Sequence, residues 1–161
     1  MTVPGEVLRH VMRRWTSGVC VVSTLAGGFP HGMTVNSFTS ISVNPALVTV
    51  TLMNTTRTYH MVGTSGIFGI TVLSVDQQVI ADRFAGRGGD ESNRFEGIEA
   101  FALETGAPFI TGGLAFLDCR VVFSHPMPES TLFIGEVLAA QRVEDARPLI
   151  YFNREYHRLQ Q

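Results

Sequence analysis

Apolar and polar residues alternate along most of this chain, and only three stretches break into a helical period. Residues 4–15 carry Val7, Leu8, Val11, Met12 and Trp15 at helical spacing, with Arg9, Arg13 and Arg14 on the opposite face. Pro4 suits a first turn, so a helix is predicted over 4–15. Residues 19–25 are rich in β-formers and run into Ala26-Gly27-Gly28, a hairpin signal. The next strand is expected from near Pro30 towards Phe38, followed by a turn at Asn44-Pro45. Residues 46–52 are the most strand-like run in the chain.

Residues 55–62 suit a short helix with Asn54 as its N-cap and Gly63 and Gly66 as its end. A buried strand is expected over 67–73, where Gly69 suggests close backbone approach. Ser74 is expected to cap a helix over 75–84, with Val75, Val79, Ile80 and Phe84 on one face. Residues 85–97 are glycine-rich and charged, the best candidate for a mobile loop. Strands are predicted over 114–123 and 131–140, joined by a turn around Pro126 and Pro128, and a short strand pair over 148–159. There is no repeat, linker or low-complexity segment. Seven or more strands with two or three helices and hairpin-type connections give a mainly β chain. The expected architecture is one domain over 1–161, a small antiparallel barrel with helices packed outside.

Composition narrows the function. A net charge of −2 supplies no field for nucleic acid or an anionic membrane. Charged residues make up only 16%, which fits a chain that hides surface in a homodimer. All 12 basic residues are Arg, so lysine Schiff-base and Walker-type phosphate chemistry are excluded. Cys20 and Cys119 sit in apolar strand patterns and are expected to be buried free thiols. No metal-ligand spacing is present, and no run approaches the roughly 20 apolar residues of a membrane span. Arg9, Arg13 and Arg14 interrupt any signal peptide, so the expected location is the cytoplasm. No Ser-His-Asp, paired-carboxylate or Cys-His grouping emerges, and Asp90-Glu91 reads as a solvated face.

Two polar clusters flank the 46–52 strand. One is Thr34-Val35-Asn36-Ser37 with Thr39 and Ser40; the other is Asn54-Thr55-Thr56-Arg57-Thr58. Small side chains let backbone groups approach a flat ring, and a helix N-terminus with hydroxyls and an arginine makes an anion site. Together they suit a planar, polar, phosphorylated ligand. Taken separately, the first also reads as a solvent-facing strand and the second as an N-cap followed by a solvated Arg.

The run Gly32-Met33-Thr34-Val35-Asn36-Ser37-Phe38-Thr39-Ser40, the Pro45 turn and strand, and Thr56-Arg57-Thr58 resemble the short-chain flavin reductases, the FMN-binding split-barrel family. Further likeness lies in residues 18–24, in Leu73-Ser74 with Gln77, Ala81 and Phe84-Ala85-Gly86, in Ile134-Gly135-Glu136-Val137, and in residues 148–152, so it covers nearly the whole chain. The resemblance implies an antiparallel, Greek-key-like split barrel. It implies that residues 34–40 line the isoalloxazine, that Asn54 to Thr58 hold the phosphate, and that Phe84 and Ala85 lie near the flavin tail. Phe84 also reads as a helix-end core residue. The activity implied is hydride transfer from NADH or NADPH to FMN or FAD, in a groove between two subunits of a homodimer. Reduced flavin would pass to a partner flavin-dependent monooxygenase. No acid–base residue is needed for that step, so none is assigned as catalytic.

The family's Gly-Asp-His is replaced here by Pro128-Glu129-Ser130. Ser130 can donate one hydrogen bond but carries no charge. Arg154, His157 and Arg158 are candidates to hold the nicotinamide cofactor instead, with Tyr151 and Tyr156 as stacking surfaces. His125 could reach across the turn, and His31 adjoins the flavin segment; His10 and His60 read as helix-surface residues. The missing imidazole keeps open an FMN-binding electron carrier or sensor, and a reductase serving a corrinoid or metal complex.

Overall fold

The computed structural model describes residues 2–89 and 93–160. In chain order the elements are α1 (Gly5–Met12), β1 (Ser17–Gly18), β2 (Cys20–Ala26), β3 (Phe29–Val35), β4 (Thr39–Val43), β5 (Ala46–Met53), α2 (Arg57–Ser65), β6 (Ile67–Val72), α3 (Gln78–Phe84), β7 (Ala100–Ala102), β8 (Pro108–Ile110), β9 (Ala115–Pro126), β10 (Ser130–Arg142), β11 (Ile150–Phe152) and β12 (Glu155–His157). Seven strands form one antiparallel sheet in the order β3-β2-β6-β9-β10-β5-β4. Smaller sheets, β1-β11-β12 and β7-β8, lie beside it.

The sheet curls because its two edges are consecutive in sequence. β3 and β4 are joined by Asn36-Ser37-Phe38, and Ser37 reaches β5: its Oγ donates to Thr51 O at 2.8 Å and accepts from Thr51 N at 3.2 Å. The interior is shared by Cys20 and Val22 of β2, Val35 of β3, Val48, Val50 and Leu52 of β5, Phe68 and Ile70 of β6, Cys119 and Phe133. Gly135 leaves room for this core, since a Cβ there would strike the Phe68 ring. Val21 of β2 and Val19 just before it serve a second cluster outside, where they meet Leu73, Ala81, Phe84, Phe95, Ile110 and Leu149. β2 is therefore covered on both faces. Cys20 and Cys119 are free and buried, and burial pushes both thiols up to about 12.

Gly69 is where another group comes close, as expected. The β7–β8 hairpin lays Phe109 against it, and a Cβ at Gly69 would meet the ring at 2.8 Å. Ser23 Oγ donates to Pro108 O at 2.5 Å and Ile110 N donates to Thr71 Oγ1 at 3.2 Å, fixing the hairpin to the sheet. Buried Asp118 accepts from Thr105 N at 2.8 Å.

Several local expectations need correction. Thr56, not Asn54, caps α2, its Oγ1 accepting from Tyr59 N at 3.2 Å. Gly63 lies within α2, and Gly66, at φ 70°, ends it. Ser74 does not cap α3. Ser74 N donates to Gln77 Oε1 at 3.1 Å and Gln77 Nε2 to Thr111 O at 2.9 Å, which holds 74–77 as a turn so that the helix starts at Gln78. Val79 faces outwards, 77% exposed. β3 stops at Val35, and Thr39 and Ser40 belong to a separate edge strand. In the 85–97 loop, Asp90, Glu91 and Ser92 lie outside the described residues; beyond them Phe95 is buried edge-on against Phe84, 4.9 Å between centroids. α1 ends at Met12, and none of its residues is buried.

Candidate functional site

β3 is an edge strand that pairs only with β2, so alternate backbone groups along it lack sheet partners. A groove runs along it as two adjoining hollows that share Thr34 and Ala85. The larger, about 330 Å³, lies between His31, Met33 and Thr34 of β3, the start of α2 at Thr56, Arg57 and Thr58, and Arg94. The smaller, about 180 Å³, continues past Val35 and Asn36 to Arg87, Tyr151 and Tyr156.

The wide end is built to attract an anion. At the start of α2 the amides of Arg57 and Thr58 have no acceptor inside the helix, and the helix dipole adds partial positive charge. Arg94 Nη1 donates to Gly32 O at 3.0 Å and to Phe84 O at 2.9 Å, which fastens its charge against the open edge of β3. Gly32 permits this packing, since a Cβ there would press on Val22 O at 2.9 Å and on the Phe84 ring. His31 is buried, its Nδ1 without a hydrogen-bond partner among the described residues. Burial, with the charges of Arg94 and Arg57, lowers its pKa to about 4, so the imidazole is neutral at pH 7.

The narrow end is aromatic. Tyr151 and Tyr156 face one another across β11–β12 with centroids 5.6 Å apart. The Arg87 guanidinium lies 5.5 Å over Tyr156 and pairs with Asp82 at 2.8 Å. Burial holds the Tyr156 hydroxyl above the usual tyrosine range, opposed by the Arg87 charge. Thr34 Oγ1 donates to Ala81 O at 2.7 Å, tying the floor of the groove to α3.

Of the residues singled out from the sequence, Thr34, Val35, Asn36, Thr56, Arg57, Thr58, Phe84, Ala85, Tyr151 and Tyr156 line the groove. Ser37, Thr39, Ser40, Asn54, Thr55 and Ser130 do not. Ser37 is spent on fastening the β3–β4 connection to Thr51 of β5. Thr39 and Ser40 pair with Thr49 and Val48 of β5. Asn54 holds the β9–β10 turn: its Nδ2 donates to Met127 O at 2.9 Å and its Oδ1 accepts from Thr131 Oγ1 at 2.8 Å. Thr55 is exposed. Ser130 opposes Met53 at the start of β10. Arg94 and Arg87 enter unannounced by any motif, Met33 joins from the quoted Gly32–Ser40 run, and His31 proves to be part of the wall. Among the described residues no group of three or more His, Cys, Asp or Glu could hold a metal ion. Nor, among the described residues, is any helix long and apolar enough to cross a membrane.

Comparison with known proteins places the chain in a family. The flavin reductase like domain matches residues 12–160. The reductase subunit HsaB of a flavin-dependent monooxygenase from Rhodococcus jostii (strain RHA1) is 31% identical over 92% of this chain and 74% of its own length. An NADH-dependent flavin reductase from a Rhodococcus species is 33% identical over 95% of this chain and 85% of its own. The NADH:FAD oxidoreductase SgcE6 of Streptomyces globisporus C-1027, solved in complex with NAD and FAD fragments, superposes with a TM-score of 0.90 at 29% identity, over 99% of this chain and 96% of that one.

Proposed function

Because this chain belongs to the flavin reductase like family, we propose that it is an NADH-dependent flavin reductase that supplies reduced flavin to a partner monooxygenase. The observation that carries the reading is the groove itself: cationic and hydroxyl-lined at one end, aromatic at the other, and walled by an edge strand between. A phosphorylated flat ring fits it. Arg57, Arg94, Thr56, Thr58 and the first amides of α2 receive the phosphate. Neutral His31 offers its unpartnered Nδ1 at the same end without adding charge. The backbone from Thr34 of β3 to Asn36 just beyond it meets the polar edge of the ring, and Tyr151 and Tyr156 close the far end.

Flavin, when bound, supplies the acceptor for a hydride from the nicotinamide. The protein's part is to orient two rings and to exclude water, and it assigns no general acid or base. Thr34 is pinned to α3 and Arg94 to two carbonyls, so the walls are set before ligand arrives. The 161 residues act as one flavin-binding domain, working in the cytoplasm.

The working unit is a homodimer. What supports this is α1, which turns Val7, Leu8, Val11 and Met12 outwards, each at least 50% exposed. A row of that size is covered by a second chain in a stable assembly.

The test is NADH oxidation followed at 340 nm with added FMN or FAD. Turnover that requires flavin establishes the reductase and shows that Pro128-Glu129-Ser130 is tolerated. Flavin binding without turnover on either NADH or NADPH would favour the electron-carrier reading instead.

A further inference from the structure

We propose that Arg9, Arg13 and Arg154 form a second phosphate site, which receives the phosphate groups of the nicotinamide dinucleotide. The proposal rests on the reductase reading and names where the reductant is held.

α1 is turned the opposite way from an ordinary surface helix. Its apolar side faces out, while Glu6, Arg9, His10 and Arg13, spaced i, i+3, i+4 and i+7, line a hollow of about 300 Å³ closed by Arg154. Asn153 N donates to Arg13 O at 3.1 Å and so fastens the helix end to the β11–β12 turn. Arg154 sits in that turn at φ 70°, a left-handed conformation that glycine or asparagine adopts with less strain. The turn thus places a long cation opposite Arg9 and Arg13.

Three guanidinium groups face one carboxylate, that of Glu6. Among the described residues none of the three makes an ion pair, and the buried Nε of Arg13 has no hydrogen-bond partner. Like charges gathered in excess of their counter-charge are stabilised by a bound anion, and planar forks suit phosphate oxygens.

The hollow is continuous with the flavin groove. A neighbouring space of about 240 Å³ is bounded by the same three arginines and by Trp15, Asn36 and Tyr151. Asn36 and Tyr151 also line the aromatic end of the groove. The flavin phosphate is served at the other end, by Arg57 and Arg94. A flavin lying along β3 cannot place that phosphate at both ends. A second cationic site beyond the ring therefore calls for a second nucleotide, entering from the α1 side with its flat groups passing Trp15 and Tyr151.

The experiment titrates the full chain, loaded with FMN, with NAD+ by calorimetry, and follows the emission of Trp15, the sole tryptophan. The variant combines Arg9→Gln with Arg154→Gln, both exposed positions. The expected result is a saturable change in emission, with the NAD+ dissociation constant and the KM for NADH each at least tenfold higher in the double variant. FMN binding and kcat stay unchanged, and Arg9→Lys with Arg154→Lys recovers most of the affinity. An unchanged dissociation constant and KM in the Gln variant would overturn the proposal while leaving the reductase reading intact. Weakened binding of FAD but not FMN would also overturn it, placing the adenylate of FAD in the hollow. If the parent protein binds FMN but oxidises no NADH, the reductase reading fails, and the calorimetry still decides whether these arginines bind the dinucleotide.

Discussion

Replacing Arg57 with alanine separates the phosphate end of the groove from the ring end. The side chain is exposed in the first turn of α2, and its charge is felt by His31. A guanidinium and a phosphate about 4 Å apart attract by about 4 kcal/mol at an effective dielectric of about 20, before desolvation is subtracted. A charge-assisted hydrogen bond is worth about 1.5–3 kcal/mol net. At about 1.4 kcal/mol per tenfold, the FMN dissociation constant should rise roughly 10- to 150-fold. Arg94 and the α2 amides remain, so the lower part of that range is expected. Folding should change by no more than about 0.5 kcal/mol, because the position is exposed and alanine is a good helix former. Riboflavin has the same ring and no phosphate, so its affinity should be unaltered. Flavin fluorescence titration of both ligands measures the difference. An unchanged FMN constant, or an equal loss for riboflavin, would refute the placement of the phosphate.

His31 stays neutral in the folded protein down to about pH 4 but titrates near 6.5 when unfolded, so protons favour the unfolded state between these values. Stability should therefore fall as pH drops through that window, by at most about 1.4 kcal/mol per pH unit from this group, and His31→Gln should flatten the slope in chemical denaturation. A bound phosphate should raise the His31 pKa, seen as proton uptake when FMN binding is measured calorimetrically in two buffers below pH 6. Gly135→Ala puts a methyl group into the Phe68 ring and should cost about 1–3 kcal/mol of stability, read from urea unfolding, while the exposed Gly5→Ala should not. Val11→Glu on the outer face of α1 should shift the light-scattering mass from about twice 17.6 kDa towards the single chain. An unchanged mass would place the dimer contact elsewhere.

The barrel was legible where strands are buried on a regular period. β2, β5 and β6 carry continuous or alternating apolar residues, and the structure pairs each of them on both sides within the sheet. β4 escaped because Thr39-Ser40-Ile41-Ser42-Val43 is a short, largely exposed edge with only two apolar residues, run directly into the polar segment before it. β7 and β8, three residues each, are too short to show a period. The helical spacing of α1 was plain, but spacing says only that a face is apolar, not what covers it. Half of the groove could be read as well, since Thr56, Arg57 and Thr58 follow a strand at a helix start. Arg94 could not be read. It reaches Gly32 across 62 residues of sequence, and its neighbours are an asparagine and a phenylalanine that mark nothing. Ser37 and Asn54 show the converse: residue types that suit a ligand were instead consumed in fastening the β3–β4 connection to β5 and in holding a turn.

The two cysteines gain a meaning from the chemistry around them. Reduced flavin that escapes its acceptor reacts with oxygen to give hydrogen peroxide, so a flavin reductase works in the presence of an oxidant of its own making. Peroxide attacks the thiolate rather than the thiol. With burial raising Cys20 and Cys119 to about 12, only about one in 10⁵ of either is ionised at pH 7, and both lie inside the barrel wall. Burial thereby keeps both thiols from sulfenic acid formation, and the two cysteines serve the core as packing material.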